Sequence, residues 1–480
     1  MARGQRRGVR AEGYRPPFEV LDLSYAEALQ TLHAACKFGI QPMLETVVDM
    51  LAELGDPDLS FRSLQIAGTN GKTSTSRYAA AILRGQGLRV ALYTSPELVS
   101  LTERMEVDGV PVSEGAFARS VAAAAEAGRR VNVRRRASGE RPYDVTQFDI
   151  LTVAACVAFA QADVDVAVLE CGMGGRWDAT SAVKSIEAVA VTGVGLDHTR
   201  ILGDTLEAIA GEKAAIIRCG QSCVLGVGTA TPDSVEDVFL DRCRSQDVTP
   251  VLLRPECLED AAGEMHAGVP RRHASLLRAS YRITSRPRRL GAPLELTVRT
   301  PRRAYTGLTA LKPSYQAANI ACAVTLTEAF LDGELDGDRL LESVRQCPTP
   351  GRFSLLRPNP PVLVDACHNP QSVDAFLAAL QDIAPDPATR PPLLCAVLAD
   401  KDVGGIVSRL ARAFPAVVCT QTSSSRSLGA DELVRRFLAA GAKVTGSYGS
   451  VAAALAAMSA GPLVGCGSIT LAGALAALLA

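Results

Sequence analysis

Residues 63–74 read SLQIAGTNGKTS, and this stretch decides the fold of the chain. Apolar residues typical of a strand (Leu64, Ile66, Ala67) run into a glycine-punctuated turn, after which Lys72 opens a predicted helix. Glycines let backbone N–H groups approach phosphate oxygens, and the helix N-terminus adds partial positive charge there. The stretch therefore predicts a nucleotide phosphate-binding loop. The residues assigned to the nucleotide are Gly68, Thr69, Asn70, Gly71, Lys72, Thr73 and Ser74.

This loop departs from the strict Walker A pattern, because Ile66 stands where that pattern has glycine. A short GTNGK fragment also occurs in ordinary strand–turn–helix corners, which is the alternative interpretation. The strand before the loop and the helix after it favour phosphate binding. Lys72 would then neutralise the β- and γ-phosphates, and the hydroxyl that follows it would reach Mg²⁺.

Composition narrows the class of protein. A length of 480 residues suits two or three domains, and fifty basic against 51 acidic residues give no bias toward nucleic acid or membranes. The apolar runs 150–160 and 469–480 are too short to span a bilayer, and the basic N-terminus lacks the apolar core of an export signal. The thirteen cysteines include no CxxC pair and are read as reduced thiols. We expect a cytoplasmic monomer without nucleic-acid or membrane partners.

Strand-like and helix-like segments alternate along most of the chain. Buried-strand candidates at Leu88–Tyr93, Val164–Glu170 and Ala188–Thr192 predict an α/β fold with a doubly wound, mostly parallel sheet. After a Pro/Gly-rich linker at 347–351, the alternation restarts as a smaller Rossmann-like domain. The predicted divisions are a disordered basic arm (1–22), an ATP-binding central domain (23–347) and a C-terminal domain (350–480). An arginine-rich excursion at about 240–305 is expected to contain an antiparallel strand pair near Leu294–Arg299.

Three titratable residues follow the predicted strands. Glu170 ends a buried strand, at the sheet edge where α/β proteins bind ligands, and its carboxylate is suited to hold Mg²⁺ on a nucleotide. His198 follows the next strand and is either a metal ligand or a structural histidine. Lys213 lies among Ala and Ile in a predicted helix, where partial burial would lower its pKa and make its amine reactive.

Seven motifs together carry a resemblance to a known family. They are GTNGKTS, YTSPEL followed by Glu103-Arg104, VTQFD, ECGMGGRWDATS, GVGLDH with LGDTLEAIAGEKAAII, TPGRF and DACHNP, in this order. The chain resembles folylpolyglutamate synthase/dihydrofolate synthase of the Mur ligase superfamily from about Tyr25 to its end. The resemblance implies an ATP-dependent ligase that forms an amide to L-glutamate, with dihydropteroate or folates as the other substrate.

The resemblance also implies roles for individual residues. The metal ligands would be Ser95, Glu170, His198 and Thr73, and Lys213 would be carbamylated to organise a second Mg²⁺. Asn319, Arg352 and Asp365 match positions that contact adenine, phosphate and ribose of ATP. Thr146, Phe148, Asp178 and Ala179 match a pterin pocket, and His368 matches a residue that positions glutamate. Lys72, Lys213, His198 and Arg352 are the predicted catalytic residues.

A mechanism follows from charge. A carboxylate is a poor electrophile, so its oxygen first attacks the γ-phosphorus of ATP and forms an acyl phosphate. Mg²⁺, Lys72 and Arg352 would stabilise the charge that develops. The amino group of glutamate then attacks the acyl carbon, and closure of two domains excludes water.

Some positions depart from the family pattern. Glu97 replaces a frequent histidine and is expected to add negative charge near the metals, Tyr315-Gln316 replaces His-Gln, and Ala366-Cys367 replaces Gly-Ala.

Two other functions stay open. A cell-wall amino-acid ligase of the same superfamily would need a UDP-sugar domain, and only 67 residues precede Gly68. A P-loop regulatory ATPase would leave the second-domain residues without a catalytic purpose.

Overall fold

The computed structural model describes residues 13–35, 43–256, 276–458 and 461–480. In these residues the chain forms two α/β lobes, one around an eleven-stranded sheet and one around a six-stranded sheet. This architecture confirms the predicted fold class. Among the described residues, no helix has the length and apolar character needed to cross a bilayer.

The first lobe contains the larger sheet. Its strands are β1 (Arg62–Ala67), β2 (Val90–Tyr93), β3 (Met105–Val107), β4 (Val110–Pro111), β5 (Val166–Glu170), β6 (Ile186–Gly193), β7 (Ser222–Gly228), β8 (Pro250–Pro255), β9 (Leu277–Ser285), β10 (Leu294–Arg299) and β11 (Ala304–Ala310). Its helices are α1 (Tyr25–Ala34), α2 (Glu45–Glu53), α3 (Lys72–Gly85), α4 (Glu114–Ala137), α5 (Gln147–Gln161), α6 (Thr199–Leu202), α7 (Leu206–Ala214), α8 (Asp233–Ser245), α9 (Gln316–Leu331) and α10 (Gly337–Gln346).

The second lobe follows the linker. Its strands are β12 (Ser354–Pro358), β13 (Pro361–Asp365), β14 (Leu393–Cys395), β15 (Val417–Thr420), β16 (Val444–Tyr448) and β17 (Leu463–Cys466). Its helices are α11 (Pro370–Ile383), α12 (Val403–Leu410), α13 (Ala430–Ala439), α14 (Val451–Ala457) and α15 (Ile469–Leu479). The strand order is β12-β13-β17-β14-β15-β16, parallel except for the β12–β13 pair.

The order in the large sheet is β11-β10-β9-β8-β7-β6-β1-β5-β2-β3-β4. The strands from β9 to β2 pair in parallel, and antiparallel strands extend both ends. Strand β1 lies between β5 and β6, so the loops that follow these three strands meet at one edge.

Helices cover both faces of this sheet, which explains why its central strands are apolar throughout rather than alternating. Leu64 and Ile66 of β1 pack into one core with α3 and α9, whereas Ala67 packs into the core on the opposite face. The apolar run 150–160 forms most of α5 and is buried in that second core. Residues 150–160 are therefore apolar because they form a buried core helix.

The arginine-rich excursion contains the expected antiparallel strands, whereas part of the predicted N-terminal arm is ordered. In the arginine-rich excursion, β10 pairs antiparallel with both β9 and β11 and so widens the sheet, while residues 257–275 lie outside the described residues. Of the predicted disordered arm, residues 1–12 also lie outside the described residues. Residues 13–22 differ from that prediction, because the Tyr14 hydroxyl donates to the Leu54 carbonyl at 2.8 Å and Phe18 packs against the core.

Candidate active site at the lobe junction

The loop after β1 passes so close to its neighbours that two positions require glycine. A Cβ atom at Gly68 would lie 1.9 Å from Thr192 Oγ1, and one at Gly71 would lie 2.4 Å from Asn319 Oδ1. Both glycines have positive φ, at 151° and 86°. The Thr192 hydroxyl donates to the Asn70 carbonyl at 2.6 Å, so β6 holds the loop in place. Asn319, on α9, is therefore brought directly against the phosphate-binding loop.

Lys72 and Thr73 begin α3 and point toward the loop and the neighbouring strand. Lys72 Nζ donates to the carbonyls of Gly68 (3.0 Å) and Thr69 (3.3 Å), which places its charge over the loop. Thr73 Oγ1 donates to Glu170 Oε1 at 2.8 Å. The lysine and the hydroxyl thus lie beside the loop and the end of β5, and their roles toward phosphate and Mg²⁺ stay predictions.

Glu170 ends β5, with its side chain buried. Its second oxygen accepts a hydrogen bond from the Ser95 backbone at 3.4 Å. Burial raises the pKa of the Glu170 carboxyl, and the positive charge of Lys72 and the Thr73 hydrogen bond oppose that rise. A cation at this carboxylate would compensate the desolvation of its charge.

The oxygens around Glu170 fit Mg²⁺, which prefers one or two carboxylates together with phosphate and water oxygens. The Glu170 carboxylate and the Thr73 hydroxyl beside it are such oxygen donors, and Ser95 contacts Glu170 through its backbone N–H. Within the described ranges, no group of three or more His, Cys, Asp or Glu residues is arranged to hold a metal ion. The protein oxygens therefore require the nucleotide and water to complete a coordination shell.

Lys213 lies on α7 and is 3% exposed. Burial and the nearby charge of Lys72 lower the pKa of Lys213 to about 7. In a large fraction of the molecules, Lys213 is then a neutral amine at neutral pH. The neutral amine is the form that reacts with CO₂. The environment fits the predicted carbamate.

His198 is the N-cap of α6 and has a left-handed conformation, with φ of 52°. Burial lowers the pKa of its imidazole to about 4, and the charge of Lys401 also lowers it, although Asp197 opposes these effects. The ring is therefore neutral at pH 7, which leaves its nitrogen lone pair available to a metal.

Asp197 connects the two lobes and was missed by the sequence analysis. Its Oδ1 accepts a hydrogen bond from Lys401 Nζ at 2.6 Å, and its Oδ2 lies 3.6 Å from His368 Nε2. Burial would raise the pKa of Asp197, but His368, His198 and Lys401 outweigh it and hold that pKa well below its usual range. The GLDH motif contained Asp197 beside His198, whereas no motif pointed to Lys401.

A second contact between the lobes involves the phosphate-binding loop itself. Asn70 and Asn369 exchange side-chain hydrogen bonds of 3.1 and 3.3 Å, and Asn70 also donates to Gln371 Oε1 at 2.8 Å. Asn369 is the N-cap of α11, so the start of that helix faces the loop. His368, the predicted glutamate-positioning residue, directly precedes this cap.

The predicted ATP residues of the second lobe gather around Asp365, at the end of β13. Its carboxylate accepts hydrogen bonds from the Tyr315 hydroxyl (2.7 Å) and from the backbone of Phe353 (2.9 Å) and Cys367 (2.8 Å). Burial raises the pKa of Asp365, and the nearby charge of Arg352 opposes that rise. Tyr315, one of the departures from the family pattern, thus ties the first lobe to this carboxylate.

The Glu97 side chain is not free to add charge at the metal side. Its carboxylate forms an ion pair with Arg104 Nε at 2.6 Å, within the same loop. This pairing neutralises the negative charge that the sequence led us to expect near the metals.

The predicted pterin residues come together around Gly172, just beyond β5. A Cβ atom at Gly172 would lie 2.7 Å from the Phe148 ring and 3.3 Å from Asp178 Oδ2. Thr146 caps the helix that carries Phe148, and Ala179 follows Asp178 and is buried. Asp178 already accepts bonds from Met173 N (2.8 Å) and Thr180 Oγ1 (2.5 Å), and burial raises its pKa. A flat apolar face and a buried carboxylate therefore lie side by side.

A separate cavity of about 330 Å³ opens between the lobes, and none of the predicted site residues lines it. Its walls include Leu290, Ser314, Phe353 and Asp382. Cavity size thus does not locate the candidate site, which is marked by its polar side chains instead.

Comparisons with known proteins agree with this arrangement. Residues 66–227 match the Mur ligase middle domain, and residues 351–467 match the glutamate ligase domain of Mur ligases. The chain is 33% identical to the dihydrofolate synthase/folylpolyglutamate synthase of Mycobacterium tuberculosis, over 84% of this chain and 78% of that protein.

Two further likenesses extend the comparison. The solved structure of Mycobacterium tuberculosis folylpolyglutamate synthase complexed with ADP superposes with a TM-score of 0.82 at 28% identity, covering 95% of this chain and 98% of that one. The probable bifunctional folylpolyglutamate synthase/dihydropteroate synthase of Haloferax volcanii is 33% identical over 90% of this chain. The chain spans 47% of the length of that relative.

Proposed function

Because the chain belongs to the dihydrofolate synthase/folylpolyglutamate synthase family, we propose that it uses ATP to join L-glutamate to dihydropteroate, to a reduced folate, or to both. The ADP complex of the mycobacterial structure supports ATP as the nucleotide. Both reactions form an amide between a carboxylate of the pterin substrate and the amino group of glutamate.

One observation carries the proposal: two groups of predicted binding residues share one sheet edge. The phosphate-binding loop follows β1, and the Gly172–Asp178 wall follows β5, its parallel neighbour. The aromatic face of Phe148 suits a flat ring, and Asp178 suits the amino-pyrimidine edge of a pterin. A bound pterin would therefore direct its far carboxylate toward the triphosphate.

The first chemical step is transfer of the γ-phosphoryl group to that carboxylate. The substrate oxygen attacks the γ-phosphorus, and ADP leaves. Lys72 stabilises the charge on the transferring group, with Arg352 approaching from the second lobe. Mg²⁺ held by Glu170, Thr73, Ser95 and His198 would supply neutralisation of the phosphate charge.

Lys213 contributes through a change of charge sign. As an ammonium ion it would repel both Lys72 and a metal, whereas a carbamate on its nitrogen is an anion. The lowered pKa of about 7 supports this assignment because carbamate formation needs the neutral amine.

The second step is attack of the glutamate amine on the acyl carbon, with phosphate as the leaving group. The contacts of Asp197 and Asn70 with the second lobe hold the lobes together over the site and limit entry of water. His368 lies at this junction, 3.6 Å from Asp197, where it would orient glutamate.

Free thiols support a reducing compartment, in line with the expected cytoplasmic location. The eleven cysteines of the described residues are all unpaired by disulfides. Monomeric state stays a prediction, and a sedimentation measurement would test it.

Product analysis tests the proposal. Purified protein with ATP, Mg²⁺ and glutamate should form ADP only when dihydropteroate or a reduced folate is present, and mass spectrometry should detect the acceptor with one added glutamyl group. Separate reactions with dihydropteroate and with tetrahydrofolate decide which activity is present. ATP turnover that ignores the pterin, or glutamylation of a UDP-linked muropeptide instead, would contradict the proposal.

A further inference from the structure

The segment 94–104, here called the Ser95 loop, is held rigid by its own side chains. Glu103 accepts hydrogen bonds from the backbone N–H groups of Leu98 (3.0 Å), Val99 (3.2 Å) and Ser100 (3.1 Å). Thr94 N donates to the Arg104 carbonyl at 3.0 Å, which closes the base of the loop. These bonds connect the tip of the loop to its base, so we expect displacement of the tip to displace the base.

The tip of the Ser95 loop contacts the second lobe at two glycines. A Cβ atom at Gly473, on α15, would lie 1.9 Å from the Leu98 carbonyl oxygen. A Cβ atom at Gly351 would lie 3.1 Å from Leu98 Cδ1, and the Leu98 side chain packs against the core around Val364. Leu98 is thus seated in a notch that exists because both positions lack a side chain.

This contact lies between two groups of proposed site residues. At the base of the loop, Ser95 N donates to Glu170 Oε2 on the first lobe. On the other side, Gly351 directly precedes Arg352, and its carbonyl accepts a hydrogen bond from Ala366 N at 2.8 Å. A change in how Leu98 is seated would therefore change the distance between the metal-side residues and the phosphate-side arginine.

We propose that Leu98 is a positioning residue, and that its seating between Gly351 and Gly473 sets the register of the Ser95 loop against Arg352. This inference rests on the proposed function for its effect on catalysis, although the seating itself is a structural property. Lobes within one chain move relative to each other by default unless their interface is large and hydrophobic. A backbone-to-backbone contact at Gly473 fixes one arrangement because it has no flexible side chain that can yield.

The Gly473→Ala variant tests the backbone contact. Alanine favours a helix more than glycine does, so the variant keeps α15 and any defect comes from the clash with Leu98. We expect kcat for glutamate ligation to fall on the order of tenfold to a hundredfold, as for a displacement of about 1 Å in a catalytic assembly. Gly449→Ala is the matched control, since a Cβ atom at Gly449 meets no atom within 4 Å.

Side-chain variants test the same contact without adding volume. Leu98→Ala empties the notch and should lower kcat, whereas Leu98→Met keeps an apolar side chain of similar size and should restore most of it. Val99→Ala is the control from the same loop, because Val99 is 54% exposed. Thermal unfolding of each variant shows that the lobes remain folded.

Hydrogen exchange supplies a readout that does not depend on ligase activity. In Gly473→Ala and Leu98→Ala, amides of the Ser95 loop and of the first turn of α15 should exchange faster than in the unchanged protein, while those of α3 keep their rate. Unchanged exchange and unchanged kcat in both variants would overturn the inference. If the unchanged protein ligates no glutamate and both variants still show faster exchange, the result would support the seating of Leu98 and reject the proposed function.

Discussion

The two lobes of this ligase prepare their polar groups in different ways. In the first lobe, Lys72, Thr73 and Glu170 bond to one another or to their own loop. In the second lobe, Lys401 and Asn369 find their partners across the junction, on Asp197 and Asn70. The comparison indicates that Lys72, Thr73 and Glu170 are held in place within the first lobe, whereas Lys401 and Asn369 of the second lobe are paired only when the lobes dock.

The largest expected effect comes from the preformed side. Lys72→Ala removes the charge over the phosphate-binding loop and should lower kcat/KM on the order of 100–1000-fold. Steady-state ligation assays at saturating Mg²⁺ measure this loss. Lys443→Ala, at an exposed position of the second lobe, is the control, and a Lys72→Ala enzyme as active as that control would refute the assigned role.

The second prediction concerns Lys213, also in the first lobe. With a pKa of about 7, its amine is protonated below pH 7 and increasingly neutral above it. Protein in ¹³C-bicarbonate should therefore show a carbamate NMR signal near pH 8 that fades as the pH falls through 7. The signal should be absent in Lys213→Ala.

Lys184 is the matched control for this experiment, because its ion pair with Asp56 raises its pKa. Lys184→Ala should keep the carbamate signal. We also expect Lys213→Ala to lose most ligase activity, on the order of 100-fold, and short carboxylic acids to restore part of it. Full activity in Lys213→Ala would remove the carbamate from the account.

The third prediction addresses the side completed by docking. Lys401→Met removes the 2.6 Å ion pair of the Asp197 carboxylate, whose side chain is only 10% exposed. Such a loss should weaken lobe docking by about 3 kcal/mol and raise KM for glutamate more than KM for ATP. Small-angle scattering should show a more open particle.

A double-mutant cycle with Asp197→Asn sharpens that test. If the two side chains act as a pair, the double variant should be less open than Lys401→Met alone, since no unpaired charge is left buried. Additive losses in the cycle would show that the two residues act separately.

The smallest effect is expected at a more exposed contact between the lobes. The Arg286–Asp382 pair spans 3.3 Å, and the Arg286 side chain is 49% exposed. Arg286→Met should change stability by less than about 1 kcal/mol and leave kcat within about twofold of the unchanged enzyme. A loss as large as that of Lys401→Met would mean that both contacts contribute equally to docking.

The sequence predicted the first lobe better than the junction, for a physical reason. The phosphate-binding loop is local: the strand, the glycines and Lys72 are contiguous, so short-range patterns reveal them. Strand ends were predicted less well: the candidate strand Val164–Glu170 corresponds to β5, which begins two residues later, at Val166. The roles of Asn319, Arg352 and Asp365 came from the family resemblance rather than from any local pattern.

Contacts across the junction could not be predicted in this way. Asp197 and Lys401 are 204 positions apart, and neither pattern nor composition pairs them. The same holds for Leu98 and Gly473, whose fit depends on where two lobes come to rest. Docking geometry is a property of the folded molecule, and only the structure reveals it.

Oxygen transfer tests the central claim most directly, namely that the triphosphate and the pterin carboxylate meet at one sheet edge. Dihydropteroate labelled with ¹⁸O in its carboxylate should pass one labelled oxygen to the inorganic phosphate released with each glutamate added, because the attacking oxygen leaves with the phosphoryl group. Phosphate that carries no label, while ATP is consumed and glutamate is joined, would contradict the account.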